Sequence, residues 1–596
     1  MKNNKQKKQH QILSCLIPYK GSFSLACITI ILENALEISL PFLMNVMLKN
    51  GMTQNGDQYS YDPPFVFLIG GIMLIFAVLS FFLGLISSKM TAKAGRGFGY
   101  ELRKREYQKI QEYSFTNLDQ FRANSLITRM TSDVQIISDT FCQVMRPILR
   151  GPFQLIFASI FALSISKELS LVFLCVIPIL ALLLGTIIFL TRPKFYQMQA
   201  ELDHINRTTD ESLTAMKLVR ANAKENYEIQ KFDQVNKNVS RIGTKANSLL
   251  ALNMGIMQMM TYACVVAILL VGGSSIFDSF HPEITAMKTA ADIATFLSYA
   301  TQTLASLMMI CNVMLSFTRA SASLKRLKEV FAAESEIIDK KDSPLRIESG
   351  KIEFDHVSFR YSKEAQENVL SDLNFTLESG QTIGILGETG AGKSTLIYLI
   401  DRFYDTSEGA VRIDGKDIKD YSLSELRGKV AICFQSPRLF KGTVKENLLW
   451  GNIDATEDEI LEACEIACCK DFILHSLSHG FDTEIAQGGD NVSGGQRQRL
   501  CIARAILAKP KILILDDSFS ALDRITEKQI KQNLQEKLPG TTKLIISQKV
   551  SSLSGSDQII VLKDGKVNNI GTSEYLKVHD PIYQDIYRIQ EEGGQA

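Results

Sequence analysis

Six long apolar runs lie within the first 320 residues, and they constrain the fold more than any other feature of the chain. A helix needs roughly 20 apolar residues to cross a hydrocarbon core about 30 Å thick. The runs approach or exceed that length and cover residues 23–47, 64–88, 148–166, 169–190, 249–276 and 291–317. They predict six membrane-spanning helices, which would return the chain to the side of the membrane on which it begins.

Two long charged segments between these runs indicate the orientation. Residues 89–146 and 191–245 are dense in lysine and arginine and have helical periodicity, whereas the other connections are short or acidic. Basic connections stay in the cytoplasm, so both segments are predicted to be cytoplasmic extensions of the membrane helices. Residues 1–20 are basic and then amphipathic, which predicts a cytoplasmic segment on the membrane surface or, for the first ten residues, a solvated tail.

Two carboxylates, Glu33 and Glu37, lie inside the first apolar run. They are four residues apart and therefore share one helix face. Carboxylates at that depth normally face a bundle interior or a water-filled cavity. One interpretation is a substrate cavity for cationic compounds, or a relay that couples transport. The other is a structural pair that is hydrogen-bonded to neighbouring helices.

The composition changes after the last apolar run. A polar stretch, residues 321–348, breaks at Asp342-Ser343-Pro344 and predicts a linker. Short β-rich runs then alternate with helical patterns, which is typical of an α/β domain. The chain is therefore predicted to contain an N-terminal segment (1–20), a transmembrane domain (21–320), the linker and an α/β domain (349–590). Its 65 basic and 64 acidic residues argue against a nucleic-acid partner.

The α/β domain contains a phosphate-binding motif at residues 387–395, Gly-Glu-Thr-Gly-Ala-Gly-Lys-Ser-Thr. The motif follows the apolar run 382–386 and precedes the helical run 396–400, so its context is strand, loop, helix. Backbone N–H groups of such a loop surround a phosphate. Lys393 is predicted to reach the β- and γ-phosphates of ATP, and Ser394 to bind Mg²⁺. The predicted nucleotide contacts are Gly387, Glu388, Thr389, Gly390, Ala391, Gly392, Lys393, Ser394 and Thr395.

A second motif completes the predicted phosphate site. Four apolar residues, 512–515, end in Asp516, which is the pattern of a buried parallel strand that delivers a carboxylate to Mg²⁺. Asp517 follows directly, and Asp523 comes six residues later. Asp516 is therefore the predicted Mg²⁺ ligand beside Ser394.

Between these two motifs lies the run Val492-Ser493-Gly494-Gly495-Gln496-Arg497-Gln498-Arg499. With this run in place, the chain resembles a half-transporter of the ATP-binding cassette (ABC) superfamily, of the exporter type, over essentially its whole length. The resemblance implies a membrane all-α bundle of six transmembrane helices with long cytoplasmic extensions, fused to an α/β P-loop nucleotide-binding domain. It also implies a domain-swapped dimer in a cell membrane.

The resemblance implies roles for further residues. Tyr361 would stack on adenine, and Gln435 would touch Mg²⁺ and sense the membrane domain. Asp523 would belong to the loop that crosses the dimer interface. Residues 121–133 and 211–232 would form the coupling helices that dock on nucleotide-binding domains. The γ-phosphate of the opposite subunit's nucleotide would be bound by the signature residues Ser493, Gly494, Gly495 and Gln496.

Two residues depart from the family pattern where hydrolysis takes place. Asp517 stands where the family has a glutamate that positions the attacking water. Its side chain is one methylene shorter, and a misplacement near 1 Å can cost about 10²-fold in rate. Gln548 stands where the family has a switch histidine, and an amide cannot carry charge. A third departure, Ala486-Gln487-Gly488 in place of Gly-Glu-Arg, predicts altered transmission between domains.

Together these features predict ATP-driven export of a hydrophobic or amphipathic substrate, with ATP and Mg²⁺ as cofactors and membrane lipid as a partner. A weakened acid and a missing histidine beside an intact signature resemble the degenerate-site subunit of a heterodimeric multidrug exporter. Its partner half-transporter would supply the competent site. Two alternatives stay open: a homodimeric exporter of drug, lipid or peptide, and a nucleotide-gated regulatory membrane protein that does not pump.

Overall fold

The computed structural model describes residues 12–55, 58–165, 167–277, 282–362 and 364–592. These residues divide into two compact units. The first unit comprises Met1–Glu112 and Phe121–Ala333, and the second comprises Tyr113–Gln120 and Glu334–Ala596. The boundary near residue 333 falls inside the predicted linker. Most of the predicted N-terminal segment, residues 1–11, lies outside the described residues.

The membrane half of the chain is almost entirely helical. Six of its helices have more than 30 residues, which exceeds what one bilayer crossing requires. The elements in chain order are α1 (Lys20–Asn50), β1 (Met52–Asn55), β2 (Gln58–Tyr61), α2 (Pro63–Gln111), α3 (Phe115–Phe121), α4 (Ala123–Thr128), a π-helical turn (Arg129–Asp133), α5 (Val134–Ile165), α6 (Lys167–Thr214), α7 (Met216–Ala221), α8 (Glu225–Phe277) and α9 (Pro282–Ala332).

Five helical stretches among the described residues are long and apolar enough to cross a membrane. They are Ile12–Asn50, Pro63–Gln111, Ala123–Ile165, Gly255–Ser274 and Ala290–Met314. Each overlaps one of the six predicted runs. The remaining run, residues 169–190, lies within the 48-residue helix α6. The lengths of these helices confirm the prediction of a helical membrane domain whose helices extend beyond the bilayer.

Small residues let α2 and α5 approach each other closely. The hydroxyl Oγ of Ser138 donates a hydrogen bond to the carbonyl oxygen of Gly95, at 2.9 Å. A methyl group at Gly95 would overlap Cys142, and one at Gly99 would lie 3.0 Å from the Ser138 Cβ. Glycines spaced by four residues therefore form the contact face of α2 here, as small residues do at helix contacts in membranes.

The second unit mixes strands and helices. Its strands are β3 (Ile352–Phe359), β4 (Leu370–Leu377), β5 (Thr382–Gly387), β6 (Glu408–Ile413), β7 (Lys416–Asp417), β8 (Val430–Cys433), β9 (Gly442–Thr443), β10 (Glu484–Ile485), β11 (Ile512–Asp516), β12 (Thr542–Ile546), β13 (Gln558–Lys563) and β14 (Lys566–Gly571). Its helices are α10 (Lys393–Ile400), α11 (Leu423–Lys429), α12 (Val444–Leu449), α13 (Glu457–Ile466), α14 (Lys470–His475), α15 (Gly494–Leu507), α16 (Arg524–Lys537), α17 (Val550–Leu553), α18 (Ser573–His579) and α19 (Pro581–Glu592).

A six-stranded sheet positions the functional residues of this unit. Its strand order is β14-β13-β5-β12-β11-β8, and all neighbouring strands are parallel except β13 and β14. Strands β5, β11 and β12 are buried along their whole length, as expected where helices cover both faces of a parallel sheet. Because β5, β12 and β11 are neighbours, the loops at their carboxyl ends meet at one edge. A four-stranded antiparallel sheet, β4-β3-β6-β7, completes the unit.

Candidate functional sites

The loop between β5 and α10 has the backbone conformation that its glycines permit. Gly390 and Gly392 have φ angles of 90° and 92°, in the left-handed region that favours glycine. The Ala391 N–H donates to the carbonyl oxygen of Glu388 at 3.2 Å, which closes the turn. Helix α10 begins at Lys393, so its N-terminus faces the space inside the loop.

Lys393 lies over this loop. Its Nζ donates to the carbonyl oxygens of Gly387 and Glu388, at 2.7 and 2.8 Å. Burial lowers the pKa of the Lys393 ammonium, and the nearby carboxylates of Asp516 and Asp517 oppose that shift. A phosphate in the loop would give this desolvated ammonium a charged partner, which two neutral carbonyls do not provide.

Ser394 and Asp516 face each other across the site. The Ser394 Oγ donates to the Asp516 Oδ2 at 3.4 Å, and Asp516 is only 5% exposed. Burial raises the pKa of the Asp516 carboxyl; Asp517 adds to the rise, while the Ser394 hydrogen bond and Lys393 oppose it. Hydroxyl and carboxylate oxygens are ligands that Mg²⁺ prefers when substrate phosphates supply others. These residues therefore fit a Mg²⁺ ion bound together with a nucleotide.

Asp517 begins the loop after β11. Its φ is 47°, a left-handed conformation that aspartate tolerates better than most residues. Its N–H donates to the carbonyl oxygen of Ile546 at 2.9 Å, which ties it to the end of β12. Its Oδ2 accepts a hydrogen bond from Gln435 Nε2 at 3.5 Å. The acid and the glutamine predicted at the site are thus neighbours.

One cavity of about 320 Å³ brings most of the predicted residues together. The phosphate loop, both acids, Gln435 and Gln548 all line it. Three lining residues, Val369, Ile546 and Ser547, were not singled out in the sequence. The full lining is Val369, Thr389, Gly390, Gly392, Lys393, Ser394, Thr395, Gln435, Asp516, Asp517, Ile546, Ser547 and Gln548.

Tyr361 lies next to this cavity without lining it. Its ring is 44% exposed, and its hydroxyl is 3.0 Å from the Thr395 hydroxyl of the phosphate loop. The ring makes edge contacts with Phe359 and Tyr404, with centroids 4.9 and 5.1 Å apart. A half-exposed ring beside the phosphate loop is available for stacking on a base.

The signature lies on a different surface of the unit, at the N-terminus of α15. Ser493 caps the helix: its Oγ accepts from the Gln496 N–H at 3.2 Å, and the Gln496 Oε1 accepts from the Ser493 N–H at 2.9 Å. Ser493 and Gly494 are exposed, and none of Ser493, Gly494, Gly495 and Gln496 lines the cavity. The local sequence Ser-x-x-Gln explains this arrangement, because it is a capping box.

Asp523 is a helix cap as well. Its carboxylate accepts from the N–H groups of Ile525 and Thr526, at 3.1 and 2.9 Å, and from the Thr526 hydroxyl at 2.7 Å. These hydrogen bonds, the Thr526 N–H first, lower the pKa of the Asp523 carboxyl. The side chain is therefore committed to starting α16, and its predicted role at a dimer interface stays a prediction.

Gln498 is a functional candidate that the sequence reasoning missed. It is on the signature helix α15 and is only 1% exposed. Its Nε2 donates to the carbonyl oxygen of Asp517 at 3.2 Å, and its Oε1 accepts from the Ala521 N–H at 3.1 Å. The amide thus connects the signature helix to the loop that holds the acid. A glutamine on the buried face of an amphipathic helix was the signal available in the sequence.

Glu33 and Glu37 on α1 pair with two arginines on α5. Arg146 binds Glu33 and Arg150 binds Glu37, and the Ser87 hydroxyl donates to Glu33 Oε2 at 3.4 Å. This pairing agrees with the interpretation of the two carboxylates as a structural pair that is hydrogen-bonded to a neighbouring helix. A cavity of about 490 Å³ adjoins the pairs, and its lining is Glu33, Glu37, Leu40, Ala77, Ser80, Phe81, Gly84, Leu85, Ser88 and Arg146.

The contact predicted for the first coupling helix is made by an earlier segment. Residues 113–120 pack with the second unit, whereas residues 121–133 belong to the first. The Phe115 ring stacks on Phe403, with centroids 4.4 Å apart, and the Tyr404 hydroxyl donates to Asp119 at 2.7 Å. The prediction of 121–133 was therefore wrong. Its π-helical turn is held within the first unit, where Asp133 binds Arg326.

The second predicted coupling segment, residues 211–232, contains the short helix α7. Its apolar side chains Leu213 and Leu218 are 62% and 65% exposed in the described chain. Its docking on a nucleotide-binding domain stays a prediction.

Comparisons with known proteins agree with this architecture. The model of the ABC transporter transmembrane region matches residues 23–307, and that of the ABC transporter family matches residues 370–520. An uncharacterized ABC transporter ATP-binding protein, YfiB of Bacillus subtilis (strain 168), is 35% identical over 97% of this chain and 98% of its own length. An ATP-dependent lipid A-core flippase of Yersinia pestis bv. Antiqua (strain Antiqua) is 30% identical over 96% of both chains.

A solved structure shows the same fold. The structure of a bacterial Atm1-family ABC exporter with ATP bound has a TM-score of 0.81 and 23% identity, covering 95% of this chain and 98% of that one. The predicted membrane bundle fused to an α/β nucleotide-binding domain is confirmed, as is a multi-pass location with the nucleotide-binding domain in the cytoplasm. The chain thus belongs to the ABC transporter family, joins a transmembrane region and a nucleotide-binding domain as a half-transporter does, and has the fold seen in an ABC exporter.

Proposed function

We propose that this chain is the subunit with the impaired nucleotide site in a heterodimeric ABC exporter. The observation that carries the proposal is the position of Asp517 and Gln548. Both line the cavity that also contains Lys393 and Ser394. The two departures from the family pattern therefore share one cavity with the phosphate loop, which supports the proposal.

The cavity retains the groups that bind ATP. Lys393 and the N–H groups of residues 387–395 would hold the phosphates, and Tyr361 would stack on the adenine. Ser394, Asp516 and Gln435 would hold Mg²⁺, which neutralises charge on the phosphates. ATP is thus expected to bind well at this site.

The groups that promote hydrolysis are weakened. In the geometry of this loop, the Asp517 carboxylate is one methylene shorter than a glutamate at the same backbone position. It would therefore stand farther from a water aligned with the γ-phosphate. Gln548 can donate a hydrogen bond but cannot carry a positive charge or a proton. ATP held here would act as a slowly hydrolysed brace that favours the closed state of the nucleotide domains.

The signature supports a role for this chain at a second site. Ser493 and Gly494 are exposed at the start of the 14-residue helix α15, away from the chain's own cavity. N–H groups at a helix N-terminus favour anions, and Gly495 leaves room for a close approach. A partner subunit would supply the glutamate and the histidine of that site, and most turnover would take place there.

The substrate is proposed to be amphipathic. The Yersinia pestis relative is described as a lipid A-core flippase, and the 490 Å³ cavity combines apolar side chains with ion-paired ones. Because each glutamate there has an arginine partner, the pairs are neutral overall. A substrate with an apolar body and a zwitterionic or hydrogen-bonding head fits this lining better than a simple cation.

The test is the ATPase activity of the chain in lipid, alone and co-purified with a candidate partner half-transporter. We expect activity of the lone chain at least about tenfold below that of the pair. Gly495→Ala in this chain should lower the activity of the pair, because a methyl group there would narrow the approach proposed for the partner's nucleotide and would lie 3.0 Å from the carbonyl oxygen of Ala521. Gly428→Ala is the control, since nothing lies within 4 Å of a methyl group there.

The same assay separates the alternatives. Robust activity of the lone chain would contradict the impaired site and favour a homodimeric exporter. A nucleotide-gated regulator would respond to ATP without a requirement for the partner's catalytic glutamate. Substitution of that glutamate by glutamine should stop transport if the pair is a pump.

A further inference from the structure

The short helix α3 packs against an aromatic cluster of the nucleotide-binding unit that includes Tyr361, the residue expected to stack on the base. Its Phe115 stacks on Phe403, and its Asp119 accepts the hydrogen bond from Tyr404. Asn117 fixes the start of the helix, because its Oδ1 accepts from both the N–H and the hydroxyl of Ser114, at 3.2 and 2.8 Å. The helix therefore presents a ring and a carboxylate to the same pair of aromatic residues.

Tyr404 contacts α3 through its hydroxyl and Tyr361 through its ring. The rings of Tyr361 and Tyr404 meet at 89° with centroids 5.1 Å apart. Tyr404 is only 8% exposed, so its ring has little freedom to move independently of its neighbours. Burial and, second, the Asp119 hydrogen bond raise the pKa of the Tyr404 phenol, which keeps the hydroxyl protonated as a donor.

These contacts form a continuous path of three side chains from the expected base platform to α3. Tyr361 is about half exposed, and its hydroxyl is bonded to the Thr395 hydroxyl of the phosphate loop. A base stacked on Tyr361 must fix the plane of that ring. Because the edge of one ring meets the face of the other, fixing Tyr361 restricts Tyr404. The 2.7 Å hydrogen bond then transfers the restriction to Asp119.

We propose that Tyr404 is a positioning residue that makes the state of helix α3 depend on the purine base of the nucleotide. This inference rests on the proposed role of Tyr361 as the base platform, and it is independent of the impaired hydrolysis. Phosphates in the loop act on Lys393, Asp516 and Gln435, whereas the base acts through Tyr361, Tyr404 and Asp119. The phosphates and the base of one nucleotide thus act on two separate sets of side chains.

The experiment measures amide hydrogen exchange of the peptide covering residues 113–121, in the full chain in lipid. The probes are Mg·ATP and Mg·tripolyphosphate, which carries the phosphates without a base, each at a concentration that saturates the shift in melting temperature. We expect ATP to slow exchange of this peptide by at least about threefold. Tripolyphosphate should leave exchange unchanged.

Tyr404→Phe keeps the ring contacts and removes the hydrogen bond to Asp119. It should abolish the ATP effect on exchange while changing the ATP dissociation constant by less than about twofold. Tyr398→Phe is the matched control, since Tyr398 belongs to the same aromatic cluster and contacts Phe403 at 5.8 Å. This variant should respond to ATP like the unmodified chain.

Tyr361→Leu gives the second measurement. With ATP saturating, exchange of the peptide should stay at its nucleotide-free value. Unchanged ATP affinity in this variant would show that Tyr361 is not the base platform, which overturns both that part of the proposed function and the inference. If Tyr361→Leu weakens ATP binding but Tyr404→Phe still shows the full ATP effect on exchange, the inference alone is overturned. The same holds if tripolyphosphate slows exchange of the unmodified chain as much as ATP does.

Discussion

One methylene group and one imidazole separate the proposed nucleotide site from the pattern that the family resemblance implies. Asp517 and Gln548 line the same cavity as Lys393, and Gln435 already lies within 3.5 Å of the acid. Both positions therefore border the cavity that a longer carboxylate and a histidine would enter.

We predict that Asp517→Glu combined with Gln548→His increases the ATPase activity of the lone chain by about 10- to 100-fold. The longer acid would approach the attacking water, and the imidazole would restore a group that can carry charge. Steady-state phosphate release in lipid is the measurement. Lys393→Ala in the doubly substituted chain should remove the gain, and a double variant no faster than the original chain would contradict the prediction.

Glu106 is a second residue with a testable consequence. It lies on α2, eighteen residues beyond the end of the apolar run at Ser88, and therefore outside the membrane-spanning segment. Its side chain is 0% exposed, and within the described chain neither carboxylate oxygen has a hydrogen-bond partner. Burial, followed by the nearby Asp133, raises the pKa of the Glu106 carboxyl to about 7, with Arg129 opposing the rise.

The sign of its pH dependence follows from that shift. The folded chain holds the Glu106 proton more tightly than the unfolded chain, whose pKa is near 4.5. Stability from this group is therefore full below about pH 4.5 and is lost as the pH rises through 7. We predict that Glu106→Gln raises the melting temperature at pH 8 and flattens its decline between about pH 5 and 8. The exposed Glu112→Gln is the control, and an unchanged pH profile in Glu106→Gln would contradict the prediction.

At the scale of elements, two ion pairs join α1 to α5. Glu33 and Glu37 are one turn apart on α1, and Arg146 and Arg150 are one turn apart on α5. Gly84 on α2 leaves room for them, since a methyl group there would lie 3.0 Å from Glu33 Oε1. Three helices therefore depend on a single cluster of charges.

We predict that Arg146→Gln alone destabilises the chain by about 3–5 kcal/mol, because it leaves Glu33 buried without its cationic partner. Glu33→Gln together with Arg146→Gln should recover most of that loss, since two neutral amides can bond to each other. Thermal unfolding in detergent is the measurement. Equal stability of the single and double variants would show that the pair is not a structural unit, and loss of transport in a stable double variant would indicate a role in the substrate cavity.

At the scale of the whole molecule, the grouping of the candidate site residues in one cavity was predictable because they come from local patterns on neighbouring strands. The loop at 387–395, Asp516 and Gln548 each follow a buried apolar run, and parallel strands deliver such residues to one edge. The contact of α3 was not predictable, since it depends on Phe115 stacking on Phe403 across 288 positions of sequence. The partners of Glu33 and Glu37 lie 113 positions away and carry no local signal. Gln498 was missed because helical periodicity places it on the buried face of α15 but does not show which backbone groups its amide binds.

The shape of α2 has a mechanical consequence. The helix has 49 residues and, at about 1.5 Å per residue, is about 74 Å long. Its prolines are confined to its first turn, at Pro63 and Pro64, whereas α5 and α6 each contain two prolines inside the helix. Proline is a common cause of kinks, and beyond its first turn α2 contains none. A helix of this length converts a small tilt into a large displacement. A tilt of about 5° about its apolar end would move the end at Gln111 by several ångströms, roughly the pitch of one helical turn.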